Sequence, residues 1–311
     1  MKKTTYYILG GILLTMTACS SDGTSENNGP QIPINLQTEV VPTRAAQTIQ
    51  NDKFEKNEEL NVYIYEVIPS SGQAGASYND KYEYKVSDDN GSLKPMALSS
   101  PYYPMNTNRI NINAVYPKSM TNATVQSFTV KSDQYAKSDY KASDLMFSNN
   151  IANQEKTGSP LTLEFNHKLC KINVNLEMYH AEGESADNSP LDAARVILKD
   201  VYRTCSFNGR TGAVSEHTNS GDILVTSNGR NASSAIIVPQ TITSRAFIRI
   251  EMSSNKDVMN YYLPMTVNFE SGKAYTFNIQ VKQDGVEVGS FTVTDWDTTP
   301  TTVTTTEQFE N

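Results

Sequence analysis

Histidine, tryptophan and cysteine are scarce in this 311-residue chain, with three His, one Trp and three Cys. His167, His180 and His217 stand far apart, and none has metal-ligand spacing with another His or a Cys. No metal site and no cofactor are expected. His167 lies in phase with core positions and reads as structural, while His180 and His217 sit in polar, loop-like surroundings. Gly-x-Ser-x-Gly is absent, and so is a calcium-binding loop; Asp88-Asp89-Asn90-Gly91 reads as a turn. The chain is therefore expected not to be an enzyme. It has no Lys/Arg run, and its formal net charge is −8, so nothing could track a phosphate backbone and nucleic acid is excluded as a partner. No apolar run is long enough to span a bilayer as a helix. No sustained helical period occurs.

What remains is a strand-rich composition. Thr, Val and 17 Tyr suit pleated, half-buried surfaces. The length exceeds one ordinary sandwich and suits two domains of about 100–150 residues.

The start of the chain reads as a targeting segment. Lys2 and Lys3 precede a short apolar run from Tyr6 to Met16. The step Met16-Thr17-Ala18-Cys19 resembles a bacterial lipobox, which implies a signal peptide over 1–18 and a lipid on Cys19. Several acyl chains on one Cys give a stable anchor. Residues 19–30 are polar and of low complexity, the composition of a flexible tether. The other cysteines, Cys170 and Cys205, lie in apolar strand-like runs and read as buried small residues, though an exported chain permits a disulfide.

Alternation begins at once. Ile32, Ile34, Leu36 and Val40 are apolar, with polar residues between them and Thr38 keeping the phase. This is a strand with one buried face. Pro42 ends it, and Arg44 follows among small residues, where a protease could reach it. Further strands are expected near Asn61–Val67, Tyr82–Val86, Arg109–Tyr116, Thr124–Val130, Ala194–Tyr202, Ala246–Met252 and Ala274–Val281. Asn208-Gly209, Thr211-Gly212 and Gln283-Asp284-Gly285 read as turns. From Leu161 to Leu176 the alternation slips phase at Cys170-Lys171, as in a strand whose halves serve two different cores. This places a domain border between 165 and 166, giving domains 31–165 and 166–311. Many short strands with regular turns mean sandwiches.

Several steps, in order, resemble fimbrillin-type proteins of Bacteroidales. They are Cys19, Thr43-Arg44-Ala45, Asn113-Ala114-Val115-Tyr116-Pro117, Asp144-Leu145-Met146 and Leu163-Glu164-Phe165-Asn166-His167-Lys168-Leu169. Ile237-Val238-Pro239-Gln240-Thr241, Gly272-Lys273-Ala274-Tyr275 and Asp295-Trp296 complete the set. The resemblance implies an all-β fold of two tandem transthyretin-like Greek-key β-sandwiches. It implies a surface-exposed outer-membrane lipoprotein that becomes part of a fimbrium. An arginine-specific surface protease would cut between Arg44 and Ala45, removing strand 31–41 with Ile32, Ile34, Leu36 and Val40. A tail strand near 298–311, with Val303 and Phe309 in phase, would fill the groove of the next subunit head to tail. Of Thr299, Thr301, Val303, Thr305 and Phe309, which share one parity, most are Thr, so the tail would fill the groove less well than the strand it replaces. An anchor or tip subunit, or a non-polymerising lipoprotein that holds a glycan or other host or bacterial surface ligand, is the alternative.

Overall fold

The computed structural model describes residues 30–40, 54–68, 74–105, 108–183, 185, 187–229, 231–252, 258–282 and 285–296. The N-terminal 29 residues with Cys19, the Arg44-Ala45 step, and Val303 and Phe309 lie outside them.

Among the described residues the regular structure is almost entirely strand. The first group comprises β1 (Leu36–Val40), β2 (Glu59–Val67), β3 (Ala74–Val86), β4 (Leu93–Pro95), β5 (Arg109–Tyr116) and β6 (Gln126–Thr129). A six-residue helix α1 (Lys137–Ala142) precedes β7 (Met146–Gln154), β8 (Leu161–His167) and β9 (Cys170–Met178). After a single 3-10 turn come β10 (Arg195–Phe207), β11 (Val214–Leu224), β12 (Thr226–Gly229), β13 (Ala232–Ile237) and β14 (Gln240–Ile242). The last are β15 (Ala246–Glu251), β16 (Val258–Tyr262), β17 (Val267–Phe269), β18 (Lys273–Lys282) and β19 (Gly285–Asp295).

Seven strands form one sheet in the order β1-β8-β7-β5-β2-β3-β4. Its two ends meet, because Gln37 bridges Ser92 beside β4. The curled sheet encloses a core of Ile34, Leu36, Val40, Phe54, Leu60, Val62, Ile64, Ile110, Ile112, Leu163 and Phe165. The second half forms two facing five-stranded sheets. In one, β11-β10-β15-β16 run in order and β6 pairs with β10; the other is β12-β13-β9-β18-β19. Between them lies a second core, built on Ile172, Val174, Leu198, Phe207, Phe247, Ile250 and Phe277. The architecture is two β-sandwiches in tandem.

The alternation from 161 to 176 divides into two strands in different sheets. Leu163 and Phe165 of β8 enter the first core, and Ile172, Val174 and Leu176 of β9 enter the second. The phase slip marks this change of sheet, since a strand reverses its buried face only by changing partner surface or bulging.

The halves are not separated cleanly along the sequence. Strand β6 lies in a second-half sheet, pairing Phe128 with Cys205 and Thr129 with Thr204. Tyr63, Val115 and Phe147 point from the first sheet into the second core, and Phe147 meets Phe207 edge-on at 6.2 Å. Strand β2 is consequently buried on both faces, so its sequence lacks clean alternation.

Several features differ from the sequence expectation. β3 begins at Ala74, well before Tyr82. β11 was not expected at all: most of its residues face solvent at the edge of a sheet, so no apolar period marks it. His217 consequently sits in a strand, with its ring 4.5 Å from that of Tyr202, and not in a loop. Helix α1 buries only Tyr140 and is too short to show a period.

Candidate functional site: the first strand in its groove

The alternation of residues 32–40 has a direct physical result. Ile34, Leu36, Thr38 and Val40 are buried, while Glu39 is exposed and Ile32 packs at the margin of the first core. Regular pairing starts only at Leu36, opposite Leu161, the first residue of β8. Before it, the chain is held by an isolated bridge from Pro33 to Tyr102.

The strand is gripped on both flanks. On one side it runs parallel to β8, with Leu36 opposite Leu161 and Val40 opposite Phe165. The Gln37 side-chain amide donates to Thr162 Oγ1 at 2.8 Å. On the other side the partners come from residues 91–103. Ile34 N donates to Pro101 O at 2.9 Å, Tyr103 N to Ile32 O at 2.9 Å, and Thr38 N to Gly91 O at 2.8 Å. β1 thus closes the curled sheet between β8 and the β4 side.

A cleft of about 250 Å³ runs beside β1, lined by Ile34, Leu36, Tyr84, Leu93 and Pro95 among others. Burial raises the Tyr84 hydroxyl's pKa, so that residue stays neutral. Beyond Val40 the next described part of the chain re-enters the same core. Phe54 packs edge-on to Phe165 at 4.9 Å and to Tyr116 at 5.2 Å. Ion pairs from Glu55 and Glu58 to Lys141 fasten this re-entry to α1, and the Lys141 hydrogen bond lowers the Glu55 pKa.

The burial of Ile34, Leu36 and Val40 is worth roughly 1.5–3 kcal/mol for each side chain. Emptying the groove would expose that surface. It would also leave the N–H and C=O groups of β8 and residues 91–103 unpaired. An extended segment with the same alternation recovers both terms at once, by β-strand addition.

The structure brings Leu36 and Val40 of β1, and Ile32 and Ile34 of the segment leading into it, to one core, beside a groove that sequence reasoning had left unspecified. Sequence reasoning missed the contact between Thr38 and Gly91. They lie 53 residues apart, and Thr38 had counted only as a residue that keeps the phase.

Elsewhere the functional signals are few. Among the described residues no cluster of His, Cys, Asp and Glu could hold a metal ion, and no helix is long and apolar enough to cross a membrane. Cys170 and Cys205 are free buried thiols. Burial raises both thiol pKa values, that of Cys205 to about 12.

The chain matches the model of the fimbrillin-like family over residues 43–296. Fim1C of Bacteroides uniformis, named as a candidate fimbrium subunit, is 24% identical over 296 residues, 93% of each chain. Two solved structures share the fold. A candidate cell adhesion protein from Bacteroides uniformis superposes with a TM-score of 0.64 at 20% identity, covering 85% of this chain and 99% of its own. One from Bacteroides ovatus gives 0.66 at 20% identity, covering 86% and 99%. The family match spans well over half of the sequence and takes in both sandwiches except β1. The chain therefore belongs to the fimbrillin-like family, whose members are fimbrial subunits and not enzymes.

Proposed function

We propose that this chain is a fimbrial subunit exported as a lipoprotein on Cys19, cut between Arg44 and Ala45, and polymerised by strand exchange. The observation that carries the reading is the packing of β1. It is the first of the described strands, its apolar face fills a groove of the first sandwich, and Arg44 follows it by four residues. A single cut at an arginine-specific surface protease's site would free it. The 31–165 sandwich then offers an empty groove, and residues 298–311 of a neighbour, with Val303 and Phe309 in phase, supply the strand. Groove and donor are different surfaces, so the contact is head-to-tail and propagates into a filament. The lipid holds the precursor at the outer membrane until maturation.

Mass analysis of the mature N-terminus on cells tests this. Surface polymer beginning at Ala45 is the expected result. Material that stays lipidated at Cys19, with no heat-labile ladder of oligomers after cleavage, would overturn it.

A second reading has an observation of its own. The outer face of the second sandwich carries a cleft of about 370 Å³ lined by Asn175, Glu177, Asn188, Asn278 and Gln280. Exposed Tyr179 stands nearby, with Lys282 Nζ 4.7 Å from its ring centre. Amides and an aromatic ring suit a sugar, so a monomeric lipoprotein holding a glycan is the alternative. Glycan-array binding that is lost in Tyr179→Ala would favour it.

A further inference from the structure

The groove of the first sandwich is apolar at three of its four buried positions and polar at the fourth. Ile34, Leu36 and Val40 enter the hydrophobic core, but between Leu36 and Val40 stands Thr38, 6% exposed. Its backbone N–H and its hydroxyl both donate to one acceptor, the carbonyl of Gly91, at 2.8 and 3.1 Å. Gly91 has φ +79, and any Cβ on it would run into the Thr38 carbonyl oxygen and lie 2.9 Å from Thr38 Oγ1. The wall therefore approaches the strand more closely here than a side chain on the wall would allow.

The acceptor is held in place by its own turn. Asp88 Oδ1 accepts from Asn90 N at 3.0 Å and from Ser92 N at 3.1 Å. Gly91 N donates to Asp88 O at 3.2 Å, and Ser87 N and Oγ both donate to Ser92 O. None of these bonds involves β1. The Gly91 carbonyl would keep its aim with the strand gone.

We infer that the Gly91 turn is a register key: it admits a short hydroxyl residue at the Thr38 position and so fixes the alignment of any strand entering the groove. Two physical terms act together. A bulky apolar side chain opposite Gly91 meets backbone and leaves a buried carbonyl one donor short. A strand shifted by two residues still puts its apolar face inward, so alternation alone does not choose between such registers. The key does. An extended peptide whose inward residues read aliphatic, aliphatic, Thr or Ser, aliphatic fits in full, and the tail matches it only at the step from Val303 to Thr305.

This inference rests on the replaceable-strand reading, and one experiment separates the two. The full chain is produced with a specific protease site replacing residues 42–46 and cut after folding. Labelled synthetic peptides of residues 31–41 are then exchanged into the groove and followed by fluorescence anisotropy. Three peptides are compared: the native sequence, Thr38→Val, and the composition-neutral double change Leu36→Thr with Thr38→Leu.

The native peptide is expected to enter. Thr38→Val should bind about fivefold more weakly, the loss of one hydrogen bond. The exchanged peptide should bind at least about a hundredfold more weakly, from a misfilled pocket and an unpaired acceptor. Equal binding of native and exchanged peptides would overturn the register key and leave the replaceable strand standing. Failure of every peptide to enter, the native one included, would overturn both.

Discussion

Trp296 lies flat on His167, with ring centroids 4.1 Å apart and planes within 3°. The other edge of His167 is tied to Asp144, with Nδ1 2.9 Å from Oδ1 and both side chains almost fully buried. Three segments distant in sequence meet here: the start of β7, the end of β8 and the end of β19. Backbone bonds complete the junction. Lys168 N donates to Leu145 O at 2.8 Å, Gly272 N to Leu169 O at 2.8 Å, and Trp296 N to Gly272 O at 2.6 Å. Lys273 pairs with Asp295 above it. His167 is the last residue of the first sheet's β8, and Trp296 belongs to the second core. The pair therefore binds the two sandwiches where the chain passes from one to the other.

Replacing His167 with Ala removes the stack and takes this partner from the buried Asp144 carboxylate. Leaving a buried hydrogen-bonding group without its partner costs about 1–3 kcal/mol. The chain has a single tryptophan, so Trp296 fluorescence reports on this junction directly. Urea unfolding of His167→Ala should show an earlier midpoint and an altered folded-state emission. An unchanged midpoint would mean that the pair is not a structural tie.

In β1, Val40 is wholly buried and Glu39 beside it faces solvent. Val40→Asp places a charge in the first core and should destabilise that sandwich by at least about 3 kcal/mol. Glu39→Ala should shift stability by less than about 0.5 kcal/mol. Limited proteolysis read by mass compares the two. Equal protection of both variants would show that the strand contributes nothing to the fold.

Gly91→Ala strains a positive-φ position and drives a Cβ toward the Thr38 carbonyl. A cost of about 1–3 kcal/mol is expected from the backbone alone. The check is thermal unfolding of Gly91→Ala beside Gly158→Ala, where a new Cβ meets nothing within 4 Å. Gly158→Ala should melt close to the unaltered chain, and Gly91→Ala several degrees lower.

Burial raises several acids in the second core. Cys205 moves to about 12 from an ordinary 9.0, and Tyr261 and Tyr275 to about 12 from 10.0. A raised pKa means that the folded state holds its proton where the unfolded chain has lost it. The stability involved is complete below the unfolded values and falls as pH rises from there toward the folded ones. Urea midpoints should be flat up to about pH 8.5 and decline between about pH 9 and 12. Near neutral pH Cys170 and Cys205 should resist alkylation in the folded chain and label after unfolding, as peptide mass will show. Labelling of either thiol in the folded protein would contradict their burial.

Much of the fold was legible because side-chain alternation is a local property. Ile32 to Val40, Arg109 to Tyr116 and Ala274 to Val281 each declare a buried face within a few residues, and the phase slip after Leu169 declares a change of sheet. The edge strand β11 was not legible, because a strand with most side chains in water leaves no apolar period. Nor was the pairing of β6 with β10, since nothing in Gln126–Thr129 names a partner about 75 residues away.

The same division holds at the candidate site. The sequence by itself determined that residues 32–40 are a one-faced strand ending before Pro42, that Asp88–Gly91 turns, and that His167 shares the phase of core residues. Only the tertiary structure decided that Gly91 O would receive Thr38, and that Asp144, His167 and Trp296 would meet. Alternation fixes which side of a strand is buried. It carries no information on which distant backbone completes the ladder, because every extended segment offers the same N–H and C=O groups. That choice is made by closure and packing of the whole chain.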